Sequence, residues 1–118
     1  MACGDLERRL VGIGAKFAYM LDVRRREGRT WDNLGRAEDP ATGSAAGPAG
    51  AYLVRHGAAL PGRIELRQGR FVHRPSRIEV CVERMPSGEL GVRVDANCVL
   101  AGDGRLSLPK GVAGTRSS

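Results

Sequence analysis

The sequence predicts an α+β domain in which a curved, mostly antiparallel sheet wraps one central helix at about residues 43–56. Three observations carry this prediction. Small and apolar residues from Ala45 to Val54 recur at helical spacing, with few polar side chains between them. Beyond Gly57, short stretches alternate apolar with polar residues, the period of half-buried strands. Glycines and prolines punctuate those stretches where a chain must turn.

Taken in order, residues Asp5 to Leu10 read as a short helical turn closed by Gly12 and Gly14. Lys16 to Val23, rich in large apolar side chains, reads as a strand. Arg24 to Gly28 is charged and turn-like, and Arg29 to Asn33 reads as a second strand ending in a turn at Gly35. The helix runs over Ser44 to Arg55, with Ala45, Ala49, Tyr52 and Leu53 on one face and Gly57 as its stop. Its lack of polar interruptions predicts burial on most faces. Pro48 is tolerable only near the first turn or beside a kink. Four alternating strands follow, over Arg63 to Gln68, Arg77 to Glu83, Leu90 to Val94 and Asn97 to Ala101, with a last short run at Arg105 to Leu108. Residues 1–109 are expected to form one domain, and 110–118 a disordered tail.

Composition narrows the function classes. A chain of 118 residues with 42% hydrophobic and 27% charged residues is a folded domain with a single core. Only five residues are aromatic, so aliphatic side chains must fill that core. No apolar run approaches the roughly 20 residues needed to cross a bilayer. The N-terminus lacks a signal-peptide pattern, because Asp5 and Glu7 to Arg9 interrupt it. A cytoplasmic protein without membrane partners is expected.

The formal charge of +6 raises nucleic acid as a partner. However, the 17 arginines and two lysines are scattered along the sequence apart from Arg24, Arg25 and Arg26. No nucleic-acid partner is expected. Cys3, Cys81 and Cys98 are widely spaced, with no CxxC pair and no histidine cluster, so no metal site is expected. Cys81 and Cys98 sit in apolar strand-like runs and are expected to be buried thiols.

Chemistry concentrates in Asp39 to Ser44, which reads DPATGS. Pro40 pushes Asp39 out of the helical region. Thr42 or Ser44 can cap the following helix, and Gly43 lets the backbone approach a ligand. The first amides of a helix are unpaired donors at the positive end of its dipole, which suits a substrate carboxylate. Asp39 beside such a guest can accept a hydrogen bond, or relay a proton if burial raises its pKa. Read without further context, the turn is an ordinary N-cap first and an anion site second. Glu38, next to Asp39, is expected to point elsewhere. Trp31 is expected in the core or cleft wall, and Arg29 in a surface ion pair or facing an acidic substrate.

The run Glu38 to Leu53 (EDPATGSAAGPAGAYL) closely resembles the signature of the PhzF-like, phenazine-biosynthesis-like isomerase family. The phrases GRTWDN at Gly28, QGRF at Gln68 and RPSRIEV at Arg74 fit the same pattern, as does the segment around Val92 to Leu108. The resemblance implies one half of a diaminopimelate-epimerase-like fold, a curved sheet or barrel around a central helix. It implies an active site between two halves, cofactor-free proton shifts, and no cofactor. By the motif, Asp39 and Ser44 would be catalytic, with Thr42, Gly43 and Ser44 binding the anion. The family's glutamate acid/base and Gly-His pair belong to the N-terminal half. Neither His56 nor His73 has the Gly-His context. The expected partners are therefore a small carboxylate substrate and a second copy or complementary half. The competing expectation is a non-catalytic, self-associating module, with an arginine-rich nucleic-acid binder behind it.

Overall fold

A computed structural model describes residues 5–111. The elements are α1 (Leu6–Gly12), β1 (Tyr19–Asp22), β2 (Glu27–Thr30), α2 (Gly43–Arg55), β3 (Gly62–Gln68), a 3-10 turn (Arg70–Val72), β4 (Ser76–Arg84) and β5 (Leu90–Asp95). The strands form one five-stranded sheet in sequence order. All neighbours pair antiparallel except β2 and β3, which are parallel. The exception follows from connectivity, because α2 lies between those two strands and serves as their crossover.

The period-two pattern decides which face meets the helix. On β3, Ile64, Leu66 and Gln68 are buried while Arg63, Glu65 and Arg67 are exposed. Ile64 and Leu66 stand opposite Val80 and Ile78 of β4, and Val82 completes the row. Ala46, Ala49, Leu53 and Val54 of α2 close over these side chains to form the core. Each fully buried Leu, Ile or Val contributes about 1.5–3 kcal/mol of apolar transfer. The glycines of α2 now have a reason. A Cβ on Gly50 would lie 2.7 Å from Val80 Cγ1, so only glycine lets the helix backbone settle onto β4.

Several expectations need correction. The first strands are shorter, and the second begins two residues earlier than expected, so Glu27 and Gly28 are strand and not turn. Asn97 to Ala101 and Arg105 to Leu108 form no strand. Val99, Leu100 and Leu106 are each 90% exposed, and neither stretch pairs with the edges that β1 and β5 leave open. The sheet is therefore curved and unclosed, not a barrel, and α2 is not buried on most faces. Strands β3, β4 and β5 cover one side, while Pro48 and Tyr52 remain exposed on the other. The helix runs through Pro48 at its sixth residue. That proline lacks an N–H, so the Ser44 carbonyl loses its intrahelical donor. Cys81 is buried as expected, but Cys98 is exposed, because its segment never joins the sheet. Residues 112–118 of the predicted tail lie outside the described residues.

Candidate active site at the start of helix α2

The turn before α2 is tied to the sheet by its backbone. The Asp39 N–H donates to the Thr30 carbonyl at 3.0 Å, continuing β2 past a bridge between Trp31 and Glu38. Asp39 itself is exposed. Its Oδ2 accepts a 2.6 Å hydrogen bond from the Thr42 hydroxyl. Thr42 occupies the N-cap position, yet its side chain makes no capping bond, because that hydroxyl is committed to Asp39. The expected cap is thus absent at Thr42. Ser44 makes none either and lies exposed in the first turn.

This has a chemical consequence. The Thr42 carbonyl accepts from the Ala45 and Ala46 amides, both at 3.2 Å. Among the described residues, the Gly43 and Ser44 amides and the Ser44 hydroxyl have no acceptor. Three donors stand free at the positive end of a 13-residue helix, whose N-cap residue Thr42 holds the Asp39 carboxylate through its hydroxyl.

The residue that sequence reasoning missed is Gln68. It is 1% exposed and sits on the inward face of β3. Its Nε2 donates to the Asp39 carbonyl and to the Thr42 hydroxyl, both at 2.8 Å. Its Oε1 accepts from the Thr42 N–H at 3.2 Å and from the Tyr19 hydroxyl at 3.4 Å. One side chain thus fastens both ends of the Asp39–Thr42 turn, and burial lifts the Tyr19 phenol above its ordinary pKa. The alternation that placed Ile64 and Leu66 inward also places Gln68 inward. A lone amide on an apolar face was the available signal. Gly69 beside it has φ +87°, and any Cβ there would lie 2.6 Å from the Pro40 carbonyl oxygen. The turn therefore packs directly on the end of β3.

Other residues singled out by sequence fall outside this cluster. Glu38 makes a two-pronged pair with Arg29, at 2.9 and 2.8 Å, which turns it away from Asp39 and holds the Arg29 guanidinium above its ordinary pKa. Arg29 also stacks near Trp31 and Phe71, at 4.7 and 3.9 Å. His56 follows the C-terminal end of α2, with its ring 4.3 Å from that of Tyr52, and His73 caps the 3-10 turn. Neither approaches the start of α2 along the chain. On the opposite face of the sheet, ligand atoms of Glu79, Cys81 and Asp95 lie within 4.8 Å of one another. Arg63 and Arg93 already engage the two carboxylates, at 3.4 and 3.1 Å.

The structure thus presents a sheet wrapped on one side of a small-residue helix, with unpaired donors and a carboxylate at the helix start. The chain belongs to the phenazine biosynthesis-like (PhzC-PhzF) protein family, which it matches over residues 22–104. It is 39% identical over 88 residues to the trans-2,3-dihydro-3-hydroxyanthranilate isomerase of Pseudomonas chlororaphis, covering 69% of this chain and 32% of that protein. It is 35% identical over 79 residues to an uncharacterized isomerase of Clostridium acetobutylicum, covering 64% and 26%. Among solved structures, that of a predicted epimerase from Pseudomonas aeruginosa aligns with a TM-score of 0.63 at 49% identity, over 84% of this chain and 36% of that one. The chain thus spans about a third of the length of these relatives. The fold is that of PhzF-like epimerases, in the part that the chain covers.

Proposed function

We propose that the chain supplies the C-terminal half of the active site of a cofactor-independent isomerase that shifts a proton on a small carboxylate substrate. The observation that carries this reading is the trio of free donors at Gly43 and Ser44 beside the Asp39 carboxylate. In this role Gly43, Ser44 and the Thr42 turn hold the substrate carboxylate, and Ser44 adds its hydroxyl. Asp39 accepts a hydrogen bond from substrate or moves its proton. Asp39 is exposed here, so whatever desolvates it must be laid over the helix start. A complementary half would do so, and would bring the second acid-base group that the family resemblance implies.

Deuterium transfer tests this. The chain is incubated in D2O with trans-2,3-dihydro-3-hydroxyanthranilate, alone and mixed with the N-terminal half of the Pseudomonas chlororaphis isomerase. Mass spectrometry should find label only in the mixture, and Asp39→Ala should abolish it. Ser44→Ala should raise KM about tenfold, as expected for one lost hydrogen bond to a charged group. Label that persists in Asp39→Ala removes Asp39 from the chemistry.

A second reading rests on a separate observation. An apolar groove of about 410 Å³ runs between β1 and α2, lined by Phe17, Leu21, Pro48 and Tyr52 among others. If no mixture shows label and the chain self-associates, the protein is a non-catalytic module whose groove meets a second copy.

A further inference from the structure

We propose that the sheet face opposite α2 carries a binding cleft for an anion with two or more phosphate groups, built around Arg24, Arg26, Arg67, Arg70 and Arg77. The folded chain gathers arginines that are dispersed in the sequence. Six of them, against two glutamates, line one cleft of about 840 Å³ between the β1–β2 turn, the end of β3 and the start of β4. Arg67 alternates with the inward Leu66 and Gln68, so the cleft lies on the far side of the sheet from the helix.

The charges in this cleft are unevenly matched. Glu27 is taken by Arg70 through a two-pronged pair at 2.8 and 2.9 Å. Arg67 and Arg77 stand directly opposite each other in the β3–β4 register, a placement that costs stability when charges are alike. Both lean on the single carboxylate of Glu65, at 3.2 and 3.8 Å. Among the described residues, Arg24 and Arg26 have no carboxylate within ion-pair distance. Their backbone is nevertheless fixed. The Arg24 and Arg25 amides donate to Asp22 Oδ1 at 3.0 Å, and the Arg67 amide donates to the Arg26 carbonyl at 2.8 Å. Guanidinium forks match phosphate oxygens in pairs, so a polyphosphate group supplies the counter-charge that the cleft lacks.

The size and aromatic content favour a small ligand over a nucleic-acid strand. The volume lies in the small-molecule range. The neighbouring aromatic, Phe71, is already engaged by Arg29 and Arg70 at 3.9 and 4.2 Å, so a base would have to compete with two guanidinium groups to stack on it.

Titration calorimetry of the full chain with inorganic pyrophosphate tests the proposal. One site per chain is expected, with pyrophosphate bound about tenfold or more tighter than orthophosphate. Binding should vanish near 1 M salt, where screening acts over about 3 Å. Arg24→Gln with Arg26→Gln, and separately Arg77→Gln, should each weaken binding at least about tenfold, while Arg36→Gln, an exposed arginine outside the cleft, should leave it unchanged. Arg24, Arg36 and Arg77 are exposed and Arg26 is half-buried, and circular dichroism checks that each variant is folded. No pyrophosphate heat, or equal weakening by Arg36→Gln, overturns the proposal. So does single-stranded RNA that binds where pyrophosphate cannot compete, because the face would then serve a nucleic acid.

Discussion

Gln68 replaces a helix cap in this protein. It holds Asp39 and Thr42 from inside the core, which leaves the helix amides unspent. Gln68→Leu orphans the Asp39 carbonyl, the Thr42 amide and the Tyr19 hydroxyl. Urea unfolding should show a loss of about 1–3 kcal/mol for that variant. Ser44→Ala should stay within about 0.5 kcal/mol of the parent, because Ser44 touches nothing that holds the fold. The two substitutions separate a residue that holds the turn from one that the fold does not need. A carboxylate on the outer face gives a pH test. Glu27 has its pKa lowered chiefly by its hydrogen bonds from Arg70, from a starting value of 4.5. A depressed folded-state pKa means that the pair stabilises the protein above pH 4.5 and loses that contribution as acid protonates the carboxylate below it. Glu27→Gln should therefore lie below the parent in stability at neutral pH and converge with it at low pH. An unchanged gap between the two at low pH would remove the ion pair as its cause. At this scale the grouping of Asp39, Thr42, Gly43 and Ser44 at the start of α2 was legible because their spacing is local, whereas the cap expected of Thr42 or Ser44 did not form. Gln68 was not, because its partners lie at separations of 26 and 29 residues, and no local pattern reports them.

Helix α2 shows what small residues do for an element. Gly47 and Gly50 bring its backbone onto β4 and β5, so the core is made by proximity as much as by side-chain volume. A Cβ on Gly47 would meet Val92 and Val94 at 3.4 and 3.5 Å, an ordinary contact, whereas one on Gly50 would lie 2.7 Å from Val80. Gly50→Val should thus cost about 1–3 kcal/mol through overpacking, while Gly47→Ala should come close to neutral or stabilise. Pro48 faces the groove and breaks one helical hydrogen bond. Pro48→Ala should raise the unfolding free energy, up to about 3 kcal/mol; a loss of stability instead would show that the ring packs against something the chain needs. The helix and β3, β4 and β5 were legible because period and punctuation agree there. Asn97 to Ala101 misled for a physical reason. Its alternation describes a strand, but pairing needs an edge at the right place, and periodicity carries no information about edges.

The molecule as a whole is open. Its radius of gyration, 17.6 Å, exceeds the roughly 13 Å of a compact domain of about 100 residues. The excess reflects the exposed stretch after β5, where Val99, Leu100, Leu106 and Leu108 meet solvent, and the uncovered flank of α2. Exposed apolar area of this kind is covered in most proteins by a further chain segment or a second subunit. Light scattering should therefore show mass rising with concentration, and replacing Leu106 and Leu108 by Ser should lower it. A monomer across the whole range would assign that surface to a different polypeptide.

The inward fastening of the Asp39–Thr42 turn also sets a clock. The Thr42 amide is bonded to a fully buried side chain, whereas its neighbours at Gly43 and Ser44 have no acceptor among the described residues. Amide hydrogen exchange at Thr42 then waits on the opening of the core, and exchange one residue later does not. Adjacent positions on one loop should thus differ in protection by orders of magnitude, leaving the helix start wet while its foundation stays as slow as the sheet.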